Sequence, residues 1–184
     1  MQNNSNDKAI QLWNGVLAGD TIAFNGLMTE FYSELYKYGY SLCEDPDEVK
    51  DSIQNVFLTI WKNRTSLKQI DYVKFYLLKS LRREISRQTK RDSLLSTYND
   101  TFSQITEQSE PDTAENLVRN EEAQAISKKV QEIMLGLPKR QQEIIYLRYY
   151  MELKQEQIAE MIGINKQSVY NLLHDALKRL KEKM

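Results

Sequence analysis

The chain has 184 residues, 41% hydrophobic and 28% charged, enough apolar material for one medium or two small domains and too much for a disordered chain. A single cysteine, Cys43, and a single histidine, His174, exclude an internal disulfide framework and a Cys/His zinc site. The net charge of −1 hides a pattern: seven Lys/Arg face three Asp/Glu over 71–92, one faces seven over 93–124, and eleven face seven over 125–184. Two basic segments thus flank an acidic one, a distribution that suits a nucleic-acid partner better than the average does.

Six glycines and three prolines among many Leu, Ile, Glu, Lys and Gln residues predict an all-α protein. The opening Met1-Gln-Asn-Asn-Ser-Asn6 is neither basic nor apolar, so no signal peptide is read there. No later run approaches the roughly 18–20 apolar residues of a membrane span. A cytoplasmic protein without membrane insertion of its own is expected.

In chain order, a first helix is predicted from about Asp7 to Ala18, with Ile10, Leu12, Trp13, Val16 and Leu17 inward. Gly19-Asp20 breaks it, and Asp20 or Thr21 caps a helix to about Leu42 whose buried face carries Phe24, Leu27, Met28, Phe31, Leu35, Tyr38 and Leu42. Asp45-Pro46-Asp47-Glu48 is a helix start with cap, first-turn proline and acids at the positive end of the dipole. Val49, Ile53, Val56, Phe57, Ile60 and Trp61 follow at helical spacing. Asp71 opens a fourth helix with Val73, Phe75, Leu77, Leu78, Leu81 and Ile85 as its apolar members. These helices make a first domain, residues 7–92.

Residues 93–112 lose the periodicity and are acidic and rich in Ser/Thr, as a flexible linker is. A second helical domain over 113–184 begins with a capping-box spacing at Asp112 and Glu115. Its helices run to about Leu135, from Pro138 to about Tyr150, from about Lys154 to Ile162, and onward from Lys166.

The segment from Gln155 to Leu172 carries the most chemistry. Ala159 is small where a second helix must pass closely, Gly163 suits a left-handed exit, Ile164 plugs the turn and Asn165 caps the next helix. Val169 and Leu172 are expected to pack back onto Ile158 and Ile162. The remaining positions, Lys166, Gln167, Ser168, Tyr170, Asn171 and His174, are nearly all hydrogen-bonding residues. That is the pattern of a helix-turn-helix whose second helix enters a major groove. An ordinary helical hairpin with a glycine cap shares Gly163 but not the polar outer face. No glycine-rich phosphate loop, paired metal ligands or nucleophile with a base is present in the sequence, so neither an enzyme nor a cofactor is expected.

Taken together, the chain resembles the extracytoplasmic-function (ECF) subgroup of bacterial sigma factors, in the sigma-70 family. The residues that carry the resemblance are Asp20-x-x-Ala23-Phe24 with Phe31-Tyr32-x-x-Leu35-Tyr36, then Asp47-Glu48-x-x-Asp51-x-x-Gln54-x-Val56-Phe57-Leu58-x-Ile60-Trp61. In the C-terminal half they are Leu137-Pro138-x-x-x-Gln142 and His174-Asp-Ala176-Leu177-x-x-Leu180, on either side of the helix-turn-helix. The resemblance implies two helical domains joined by a flexible linker. Region 2 would bind core RNA polymerase and melt the −10 promoter element, and region 4 would read the −35 element.

It also implies sites. Asp47, Glu48, Asp51, Gln54, Asn55 and Phe57 are polymerase-binding candidates, although Phe57 and Trp61 at this spacing read more as core than as contact. Arg82, Arg83, Arg87, Lys90 and Arg91 form a basic ladder for phosphates of the −10 element, and Tyr72 and Tyr76 are candidates for stacking on unpaired bases. Lys166, Gln167, Ser168, Tyr170 and Asn171 are candidates for base edges of the −35 element, with Arg140, Lys178 and Arg179 on phosphate. The family commonly has Ala-Arg-Asn in the helix facing the −10 element where this chain has Leu81-Arg82-Arg83, so Arg83 is expected to hold phosphate where Asn would hydrogen-bond a base. The partners implied are core polymerase, promoter DNA and an anti-sigma protein. An alternative is a helix-turn-helix regulator of another class whose N-terminal domain senses a ligand or dimerises; a purely structural helical adaptor is a third reading.

Overall fold

The computed structural model describes residues 2–92, 129–130 and 132–183, with side chains over 6–88 and the two C-terminal stretches. The chain divides into two compact units, Met1–Asn99 and Asp100–Met184, and every regular element among the described residues is helical. The expected linker 93–112 and the helix start at Asp112 and Glu115 lie outside the described residues.

The N-terminal unit contains α1 (Gln2–Leu17), α2 (Thr21–Leu42), α3 (Pro46–Asn63) and α4 (Val73–Asp92). Helix α1 starts five residues before the expected Asp7. The starts of α2 and α3 follow from their caps, whereas α4 begins at Val73, two residues after the expected Asp71: Asp20 Oδ1 accepts the N–H groups of Ile22 and Ala23 at 2.7 and 3.3 Å. Asp45 Oδ1 accepts those of Asp47 and Glu48 at 2.9 and 3.2 Å, satisfying donors that a helix leaves open. At Gly15 a Cβ would come within 2.5 Å of Ala23 Cβ, so glycine there lets α1 and α2 close on each other.

Helix α2 packs on α1, α3 and α4. The core comprises Trp13 and Val16 of α1, Leu27, Phe31, Leu35 and Tyr38 of α2, Val49, Ile53, Val56, Phe57 and Ile60 of α3, and Val73, Leu77, Leu78, Leu81 and Ile85 of α4. Trp13 is fully buried, sets its ring edge-on to Tyr76 at 5.0 Å, and donates from Nε1 to the Lys68 carbonyl at 3.1 Å. One side chain thereby fills the core and fixes the loop that leads into α4.

Cys43 follows α2, and its thiol is pushed up to about 12, first by burial and then by the Glu48 carboxylate. Almost none of it is thiolate at neutral pH, so alkylation by iodoacetamide at pH 7.5 is expected to run at least about tenfold slower than for a free thiol. Mass spectrometry over time checks this against the urea-unfolded chain; equal rates in both states contradict the burial of this thiol.

In the C-terminal unit, residues 132–135 are helical and stop at Gly136, before α5 (Lys139–Ile145). The amide of Gln142, 2% exposed, donates to the carbonyls of Leu135 and Leu137 at 3.2 and 2.7 Å. It therefore caps the end of the preceding helix from the next one. The expected helix from Pro138 to Tyr150 changes geometry midway: Tyr146–Tyr150 forms a wider π turn, closed by Met151 N–H on the Tyr146 carbonyl at 3.1 Å. The loop after it places Glu152 at φ 56, and is held by Leu153 N–H on Leu147 O and by Arg148 on Leu153 O. Helices α6 (Gln155–Ile162) and α7 (Lys166–Lys183) follow and pack on each other, and α7 also packs on α5. No helix among the described residues is long and apolar enough to cross a membrane.

Candidate functional site

The connection between α6 and α7 has the geometry of a tight helix-turn-helix. Gly163 lies at φ 76, ψ 39, and a Cβ there would meet nothing within 4 Å, so its conformation rather than space demands glycine. The N–H groups of Gly163 and Ile164 both bond to Ala159 O at 2.9 and 3.0 Å. Asn165 Oδ1 accepts Ser168 N–H at 2.7 Å, capping α7 as its sequence position predicts. Ile158, Ala159 and Met161 are buried from α6, and Val169, Leu173 and Ala176 from α7. The inward register of α7 therefore runs through Leu173 rather than the expected Leu172, which is only half-buried. The step from Val169 is four residues instead of three.

That register turns Lys166, Gln167, Tyr170, Asn171 and His174 to solvent, with Ser168 partly covered. Gln167 Nε2 donates to Asn171 Oδ1 at 3.0 Å, and Tyr170 stacks on His174 with centroids 6.2 Å apart. Lys166 pairs with Glu156 of α6, and this holds the Glu156 carboxyl below its usual range. Arg140, Lys178 and Arg179 are exposed. Lys178 continues the row of Gln167, Asn171 and His174, whereas Arg179 is turned about 100° from Lys178.

The Lys166–Glu156 pair carries an expected result. Both side chains are about three-fifths exposed, so the pair adds little stability, and a Lys166 that faced DNA would have to leave Glu156. Glu156→Gln is expected to tighten promoter binding by the polymerase-bound protein about two- to fivefold at low salt, with the gain shrinking as salt rises. Filter binding across a salt series measures it; unchanged or weaker binding contradicts a DNA-facing Lys166.

In the N-terminal unit the exposed face of α3 carries Asp47, Asp51, Gln54 and Leu58. Phe57, named as a polymerase-binding candidate but read from its spacing more as core than as contact, is core. At 1% exposure it sits edge-on to Phe24 at 6.0 Å and cannot touch a partner directly. Glu48 is partly covered, and Asp47 pairs with Lys50 at 3.1 Å. Asn55 turns toward α4, donating from Nδ2 to Glu84 Oε1 at 3.3 Å. Glu84 also accepts from Arg87 at 2.7 and 3.1 Å and from Gln88 at 3.2 Å. Arg87, the strongest of these donors, keeps the Glu84 carboxyl below its ordinary range. Leu58, 51% exposed, was not among the candidates. Its phase was the available signal: five residues beyond buried Ile53, it falls on the opposite side of the helix.

On α4, Arg83 and Arg87 share an outer face with Tyr76 by helical spacing, and Arg82 is partly covered and turned away from them. Lys79, one helical step before Arg83, joins this row and lies over the Phe75 ring at 5.7 Å. It too was missed, although its four-residue spacing was readable. Tyr72 is 49% exposed just before α4, while Tyr76 is partly buried against Trp13. The side chains of Lys90 and Arg91 lie outside the described residues. No group of three His, Cys, Asp or Glu that could hold a metal occurs among the described residues.

Comparison with known proteins adds to this geometry. Residues 127–180 match the family described as sigma-70, region 4. The chain is 23% identical over 154 residues to RNA polymerase sigma factor SigV of Bacillus subtilis (strain 168), covering 84% of this chain and 86% of that one. Its fold is similar to CnrH in the structure of CnrH in complex with the cytosolic domain of CnrY, with TM-score 0.61, 16% identity, and 95% and 96% of the two chains covered. It is also similar to the sigma factor RpoE of Bartonella quintana, solved in complex with the anti-sigma factor NepR, with TM-score 0.59, 18% identity, and 87% and 95% covered.

Proposed function

From the premise that this chain belongs to the sigma-70 family of RNA polymerase sigma factors, in its ECF subgroup, we propose a division of labour between its two units. The protein directs promoter recognition and transcription initiation. The N-terminal domain, residues 7–92, docks on core polymerase through the outer face of α3 and captures the opened −10 element on α4. The C-terminal domain, residues 113–184, reads the −35 element with α7, and residues 93–112 link the two. The observation that carries this reading is the α6–α7 turn: Gly163 in the left-handed region, Asn165 at the cap, and a row of hydrogen-bonding side chains opposite the buried Val169, Leu173 and Ala176.

The chemistry is binding throughout. Lys79, Arg83 and Arg87 supply charge for phosphates, and Tyr72 offers an exposed ring on which an unpaired base can stack. Base capture favours the open state because a base held in this way no longer returns to the duplex. Each domain contributes a modest affinity, and polymerase raises the effective concentration of the second once the first is engaged. The protein acts in the cytoplasm and catalyses no bond cleavage of its own. An anti-sigma protein holds it inactive; the support is that RpoE, similar in fold, was solved with the anti-sigma factor NepR.

Single-round transcription with core polymerase, a genomic promoter library and the purified chain tests the reading. Defined start sites that depend on the chain are expected. Identical transcripts with and without it would sink the proposal. A regulator of another class, the alternative open to sequence alone, would bind DNA without conferring start sites on core polymerase.

A further inference from the structure

We propose that Gln167 and Asn171 act as one coupled reader of a single adenine in the −35 element. The inference rests on the reading of α7 as the promoter-contacting helix and goes beyond it by naming the base and the atoms that choose it. The two residues are four apart on one helix, both exposed, and opposite the buried row of Val169, Leu173 and Ala176. They stand at the centre of the outer face, in the first half of α7. Their neighbours on that face are already engaged, Lys166 with Glu156 and Tyr170 with His174.

The bond from Gln167 Nε2 to Asn171 Oδ1, at 3.0 Å, does more than hold two side chains together. A side-chain amide has an acceptor end and a donor end, and a free one can flip. Here a flip of either amide alone sets two N–H groups or two oxygens against each other, so each orientation is fixed by the other. What remains outward is the Gln167 Oε1 acceptor, a second Gln167 N–H, and the two N–H donors of Asn171. An acceptor beside a donor is the complement of the major-groove edge of adenine, which offers N6–H as donor and N7 as acceptor. Guanine presents two acceptors there, O6 and N7, so it can engage only the N–H donors and leaves the Gln167 oxygen without a partner. Cytosine offers a donor but no second acceptor, and thymine an acceptor beside a methyl group.

Two consequences separate this unit from two independent contacts. Removing either amide frees the other to rotate, so Gln167→Ala, Asn171→Ala and the double substitution should lose the same preference at the same base pair to a similar extent. Asn171→Asp retains an oxygen for the Gln167 N–H but replaces the outward donor by an acceptor. It should exchange the adenine preference for cytosine, whose N4–H is the partner a carboxylate takes.

The experiment is selection of promoters by the polymerase holoenzyme from a library randomised across the −35 element, with sequencing of the bound and transcribed pools. The unmodified protein is expected to favour adenine at one position by about tenfold to a hundredfold. Each alanine variant should reduce that to below about threefold, with no further loss in the double variant, and Asn171→Asp should move the preference to cytosine. Lys178→Ala, a phosphate candidate, is expected to lower yield without altering base choice. Unchanged preferences in the variants, or losses at two separate positions that multiply, overturn the proposal while leaving the sigma reading intact. A holoenzyme that initiates at no promoter overturns both.

Discussion

Replacing Trp13 by alanine is expected to cost the N-terminal unit about 3–5 kcal/mol, a large fraction of the roughly 5–15 kcal/mol available to an ordinary domain. The side chain is fully buried, so the truncation removes a large apolar surface and leaves a cavity among helices that cannot collapse freely. It also leaves the Lys68 carbonyl without its indole donor and Tyr76 without its edge contact. Those losses fall on the loop that leads into α4, so Tyr72 and the start of the basic row should lose their position before the helices melt. Trp13→Phe keeps a ring but not the N–H and should lie between the two. Urea denaturation followed by circular dichroism, with limited trypsin digestion of the full chain, checks the ordering. A shift below about 1 kcal/mol for the alanine variant would remove Trp13 from the centre of this core.

Much of this architecture was readable because it is written in local chemistry. Asp20, Asp45 and Asn165 announce their helices by the residue types that can accept from open N–H groups, and all three do so in the structure. Gly163 was legible for a similar reason: only glycine enters its conformation without cost. The errors arise where the answer depends on a second segment. Three- and four-residue steps are equally helical, so Val169 alone does not say whether Leu172 or Leu173 turns inward; packing on α5 and α6 decides. Asn55 reads as a surface amide until α4 brings Glu84 within 3.3 Å. Nothing local marks the π turn at Tyr146–Tyr150 either. Spacing alone placed the solvent side of α7 apart from the Leu172/Leu173 step, whereas on α3 Phe57 is buried and Leu58, which was not named, is half exposed.

That exchange on α3 leads to the second large effect. Leu58 is half exposed between Gln54 and Lys62, one helical step from each along a face that otherwise carries charge and amide groups. A half-exposed leucine contributes only part of what full burial would to folding, and the rest is gained only where a partner covers it. Leu58→Asp is therefore expected to melt within about 0.5 kcal/mol of the unmodified protein yet to bind core polymerase at least about thirtyfold more weakly, because the docked state would bury an unpaired carboxylate. Leu58→Ala, which removes area without adding charge, should weaken binding by less than about tenfold. Competition between labelled and variant chains for a limiting amount of core polymerase measures both. If the aspartate variant competes as well as the original, α3 does not dock through this face. The contact must then be sought elsewhere on the N-terminal unit, while an aspartate variant that fails to fold would show instead that Leu58 belongs to the core.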